Sequence, residues 1–248
     1  MFLNLDIFYL SVIIIEYLKV TLNNINMERE YKNPGYFFLI LLVFVVFGFY
    51  KPYFALFPHF NNKINTVVHV HASALLIWVG LLIIQPFLIS YRKFKVHRLL
   101  GKLSYFLVPL IIVSSVAVIN KQYHEGIEHK MTQIESLKTL FIPFIELLLF
   151  SIFYLLAIRN KRKVVFHMRY MICTSVILII PSLTRVSGFW FNINQYTSYQ
   201  ISLLFCDLVL LALILFDKKN KLNYKPYVLA LTLFLAFDIS WYILGHPF

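Results

Sequence analysis

Ionisable side chains inside apolar runs are costly to bury, so the search for chemistry starts with them. Two sets stand out. His97 in VHRLLG and His167 in FHMRYM each open an apolar run, and each is followed closely by an arginine, Arg98 and Arg169. Two imidazoles at equal depth on separate helices are the minimum for axial ligation of haem, with the arginines placed to meet propionates. The competing reading is that both histidines are polar anchors at helix ends. The second set is Glu146, Asp207 and Asp238, each inside an apolar run, with His69, His71 and Arg185 near the ends of two others. A buried carboxylate needs a proton or a cationic partner, and Arg185 and His71 are the candidates. This set predicts a polar cavity for a metal held by His69 and His71, for a proton, or for a polar headgroup. The plainer alternative is a few helix-to-helix hydrogen bonds or one structural ion pair.

The elements that must position these residues follow from composition. Sixty per cent of the 248 residues are hydrophobic, 18% are aromatic and only 14% are charged. With a mean hydropathy of +0.75, that is the balance of an all-α polytopic membrane protein and not of a soluble domain. Apolar runs at 36–51, 67–90, 98–119, 138–158, 166–186, 199–216 and 226–245 predict a bundle of seven spanning helices, a single domain over 27–248. Residues 1–26 are apolar but carry Asp6, Glu16 and Lys19, and read as an interfacial helix or an upstream extension. On the second run His71, Trp78 and Gln85 recur at seven-residue spacing and so share one helix face. His167, Thr174, Pro181 and Arg185 do so on the fifth.

The formal charge of +12 would suggest nucleic acid in a soluble protein. Here the basic residues crowd alternate loops: Arg92, Lys93, Lys95 and Arg98; Arg159 to Lys163; Lys218, Lys219, Lys221 and Lys225. That is the positive-inside pattern, which excludes nucleic acid as a partner, predicts contact with lipid, and puts the core's N-terminus at Met27 in the cytoplasm of a cell (inner) membrane protein. The histidine pair then lies at the cytoplasmic boundary and the acids lie in the outer half. No Cys-x-x-Cys, His-Glu-x-x-His, phosphate loop or nucleophile elbow is present. Cys173 and Cys206 fall inside spans, as small buried residues do.

His71, the run HRLLGK from His97 to Lys102, and HMRYM from His167 to Met171 with Arg185 downstream resemble a group of bacterial multi-helix membrane proteins of unknown function. That resemblance implies the fold and no activity. A more distant similarity is to transmembrane cytochromes b, whose ligands are histidines near helix ends and which often carry His-Arg-x-x-Gly. It implies haem b between His97 and His167, whereas His71 has no evident partner unless His59 or His246 folds in. The expectation is therefore a redox-type integral membrane protein binding haem b or a transition metal. The rivals are a small proton-linked transporter working through Glu146, Asp207, Asp238 and Arg185, and an accessory subunit that associates with another membrane protein.

Overall fold

The computed structural model describes residues 34–58 and 64–244, and every regular element among them is helical. In chain order the helices are α1 (Pro34–Phe49), α2 (Thr66–Ser90), α3 (Phe94–Glu128), α4 (Gln133–Arg159), α5 (Val164–Ile177), α6 (Ile179–Phe191), α7 (Gln195–Lys219) and α8 (Lys225–Leu244). Six segments are long and apolar enough to cross a membrane, with α5 and α6 together forming one of them. The chain is a multi-pass, all-α integral membrane protein. The expected first span, α1, is apolar but has only 16 residues, about 24 Å of helix against a hydrocarbon core of about 30 Å. Residues 1–26, the start at Met27, His59 and His246 lie outside the described residues.

Local sequence sets the helix ends. The Asn65 side chain accepts from the Val67 amide, and that of Asn194 accepts from Thr197. Thr132 and Glu135 form a reciprocal capping box at the start of α4. The third span, expected over 98–119, continues to Glu128. Its polar end stays helical beyond the apolar run, helped by an ion pair between Lys121 and Glu125 one turn apart. Hydropathy sees only the apolar part of such a helix.

The fifth span is broken. Pro181 has no N–H to offer the carbonyl four residues back, so the ladder fails between Ile177 and Ile179. Side chains satisfy neighbouring backbone groups: Ser182 Oγ donates to the Leu178 carbonyl at 2.7 Å, and the Cys206 thiol of α7 donates to that of Val176 at 3.5 Å. Non-ideal backbone survives at membrane depth only where protein can supply such partners. Accordingly this span is the most enclosed, 56% buried over its most apolar stretch against 28–33% for the others.

The remaining helices surround it. Interfaces run α1 to α2, α2 to α3, α3 to α4, α4 to α5, α5 to α8, α7 to α8, α6 to α7 and back from α6 to α1. Where α1 crosses α6 the backbones nearly touch, and a Cβ at Gly48 would collide with the Ser182 carbonyl oxygen. Phe153, Cys173, Ile180, Cys206, Leu210 and Phe234 lie in the core. Val43, Phe106, Val113, Leu155, Leu208 and Ile239 face outward, as side chains that meet lipid do in place of a polar rim.

Candidate functional site

His97 and His167 are each the fourth residue of their helix, α3 and α5, at the end of the bundle where the basic loops lie. Because α4 packs on both α3 and α5, these two helices stand diagonally across it. The two imidazoles are within electrostatic reach of one another. His167 Nδ1 lies 2.9 Å from the Ala157 carbonyl. A carbonyl can only accept, so Nδ1 carries the proton and Nε2 keeps its lone pair. The Gln85 amide donates to the His97 backbone carbonyl at 3.2 Å, while His97 Nδ1 and Gln85 Oε1 are both buried with no hydrogen-bond partner among the described residues. Further into the membrane the Trp78 indole N–H is likewise buried without one among them. Nearby, Ser104 Oγ donates to the Gly101 carbonyl at 2.6 Å, so it accepts from the Tyr154 hydroxyl at 3.0 Å and ties α3 to α4.

The two arginines of this set part company. Arg98 is exposed. Arg169 is 1% exposed; its Nε donates to Asp217 of α7 at 2.6 Å, its Nη1 to the Val165 carbonyl at 3.2 Å, and its guanidinium lies 5.7 Å from the Tyr227 ring centre. Asp217 is fully buried. In the sequence Asp217 sits in the segment FDKK and reads as one acid in a basic loop. Only its place at the last turn of an apolar helix hinted that it faces inward.

At the opposite half, His69 and His71 diverge, as residues two apart on a helix must. His69 Nδ1 meets the Tyr53 hydroxyl at 3.0 Å. His71 Nδ1 meets Ser114 Oγ of α3 at 3.2 Å. Ser114 gives its one hydrogen to the Ile111 carbonyl at 3.0 Å, and Ser115 Oγ lies 3.5 Å from the same His71 nitrogen. Among the described residues no group of three or more His, Cys, Asp or Glu side chains could hold a metal ion.

The acids do come together. Asp207 of α7 and Asp238 of α8 lie within electrostatic reach of one another, and one carboxyl oxygen of each is buried with no hydrogen-bond partner among the described residues. The three acids, this pair and Glu146 of α4, all lie within electrostatic reach of Cys206. Arg185 of α6 donates from Nη1 to the Pro181 carbonyl at 2.9 Å and rests 4.4 Å from the Phe49 ring centre. It is within electrostatic reach of Glu146, Tyr199 and His71. Tyr199 and Gln85 were missed as site residues because tyrosine at a helix start reads as an interface anchor and a lone glutamine carries no charge.

No family model matches the chain, and neither a curated protein nor a solved structure is similar to it.

Proposed function

We propose that this membrane protein is of redox type and holds haem b between His97 and His167 at the cytoplasmic boundary. What supports the reading is the pair itself: two imidazoles from diagonal helices, the one on α5 fixed by its Nδ1 proton on Ala157 with no hydrogen bond to Nε2 among the described residues. A backbone anchor on the far nitrogen is how ligating histidines are oriented. Two imidazoles complete the axial set of a haem but are only half a set for a bare transition ion, which favours haem over a metal. Arg98 fits an anionic propionate, whereas Arg169 does not, because Asp217 already engages it. When bound, the haem would supply one-electron chemistry. The chain's own residues orient the ligands: Ala157 fixes one ring, and the Gln85 amide holds the backbone that carries the other.

The test is an optical spectrum of the purified protein, oxidised and reduced. A Soret band that shifts on reduction, present in Asp207→Asn and lost in His97→Ala and in His167→Ala, is the expected result. Protein made with ample haem that shows no Soret band, or equal haem in all three variants, would overturn the assignment.

A second reading, a small proton-linked transporter, is favoured by one observation, the nearness of the Asp207 and Asp238 carboxyl groups inside the membrane, each with a buried oxygen that no described residue satisfies. Under it Asp207→Asn and Asp238→Asn abolish proton-coupled flux in proteoliposomes and the histidine variants do not; normal flux in both aspartate variants would sink it.

A further inference from the structure

The interface of α3 and α4 is not closed along its outer side. Tyr105, Pro109 and Ile112 of α3 and Ser151, Tyr154 and Leu155 of α4 line a groove of about 190 Å³ there, and the exposure of Tyr105, Pro109 and Leu155 opens it to the lipid. Its walls are apolar although they contain hydroxyl groups: Ser151 Oγ donates to the Leu147 carbonyl at 2.7 Å, and the Tyr154 hydroxyl bonds Ser104 at 3.0 Å. The groove runs from Tyr105 to Ile112, two helical turns or about 10 Å, away from the end of the bundle where the basic loops lie. Its mouth is different. Lys161 Nζ donates to the Tyr105 hydroxyl at 3.2 Å and lies 5.7 Å from the centre of that ring. A lysine near a helix end ordinarily carries its ammonium out into water; this one holds it on Tyr105.

We propose that this groove, with Lys161 and Tyr105 at its mouth, is a binding site for one anionic phospholipid, an acyl chain in the groove and the phosphate on the two side chains. Charge decides the class. Among the described residues no carboxylate pairs with Lys161, nor with Lys102, three residues before Tyr105 on the same face of α3. The Lys161 ammonium gives one of its three hydrogens to Tyr105, and because the Tyr105 oxygen accepts there, its own hydrogen is left to donate. An ammonium and a phenol side by side match two oxygens of a phosphodiester. Basic positions between helices at such a boundary are where anionic headgroups collect. A zwitterionic headgroup would set its own cation against Lys102 and Lys161. A free phosphate would use the mouth and not the groove.

Lipid retained by the full-length protein in detergent is counted by native mass spectrometry, with dioleoyl phosphatidylglycerol and dioleoyl phosphatidylcholine added in equal amounts. Haem adds a different mass, so this site and the haem reading fail separately. One phosphatidylglycerol per chain, retained in preference to phosphatidylcholine, is expected. The preference should fall about fivefold in Lys161→Gln, the loss of one basic contact at a membrane surface, and by less in Tyr105→Phe. It should remain in Lys163→Gln, whose ammonium lies 5.9 Å from the Phe166 ring centre instead. Both lysines are exposed, so their substitution leaves the core packed. Ser151→Leu, which fills the groove, should lower retention of both lipids. The proposal is overturned if the original protein shows no preference, if Lys161→Gln keeps it, or if Lys163→Gln loses it equally, which would mean diffuse charge and no site. It is also overturned if Ser151→Leu retains both lipids as before, or if glycerol 3-phosphate displaces the lipid, which would make a free phosphate the ligand.

Discussion

The buried ion pair between Arg169 and Asp217 is the contact whose removal should be felt most. The charges sit at 1% and 0% exposure with 2.6 Å between Nε and Oδ2, and their attraction is about 4 kcal/mol for charge centres about 4 Å apart at an effective dielectric of 20. Desolvation offsets much of that, so the pair as a whole adds little to stability. Breaking it is another matter, because the surviving charge stays buried, at a cost of about 3–5 kcal/mol. The two halves are not equivalent. Without Arg169 the carboxyl group can be neutralised by one proton, whereas without Asp217 the guanidinium, which also meets the Val165 carbonyl and the Tyr227 ring, cannot lose its charge. Asp217→Ala should therefore be worse than Arg169→Ala, and the double change Arg169→Met with Asp217→Leu should recover to within about 1–2 kcal/mol of the original. The assay is thermal unfolding of the purified protein in one detergent. A single variant within about 1 kcal/mol of the original, or a double variant no better than the worse single, would refute the reasoning.

Two further outcomes follow from the same coordinates. Gly48→Ala places a methyl group against the Ser182 carbonyl oxygen, where backbone cannot yield cheaply, and should cost about 1–3 kcal/mol; Gly80→Ala meets nothing within 4 Å and should be neutral or stabilising by up to about 1 kcal/mol, so equal thermal midpoints for the two would refute the close crossing of α1 and α6. Cys173 and Cys206 are both free and fully buried, so a thiol-reactive maleimide should label neither until the protein unfolds; rapid labelling of native protein would contradict their place in the core.

Fold class was legible because each apolar run is longer than a soluble helix needs and because the basic loops alternate. The break in the fifth span was half legible: Pro181 is visible, but whether proline kinks or ends a membrane helix depends on which side chains satisfy the backbone around it, and here Ser182 bonds the Leu178 carbonyl one turn back while Cys206 bonds that of Val176 from another helix, which no spacing along the span reveals. Phase on one helix correctly put His71, Trp78 and Gln85 on an inward face. It could not say that His71 would meet Ser114 on the next helix while His69 turned to Tyr53, because that depends on how α2 is rotated against α3. Arg169 shows the limit most plainly. Its nearness in sequence to His167 suggested a haem partner, and a single acid 48 residues away, set beside lysines in the sequence, engages it instead.

That exchange changes what the fifth span does. With Arg169 locked to Asp217 of α7 and Arg185 held by the Pro181 carbonyl and the Phe49 ring of α1, the two halves of the span are tied to different neighbours. The break at Leu178 lies between the two, so α6 need not follow a rotation of α5. A helix continuous through this point would transmit rotation from one arginine to the other. The substitution Pro181→Ala, which restores the missing donor, is therefore expected to stiffen the span, read as slower amide hydrogen exchange around Leu178 than in the unmodified protein. Equal exchange there in the two proteins would show that the proline does not set the break.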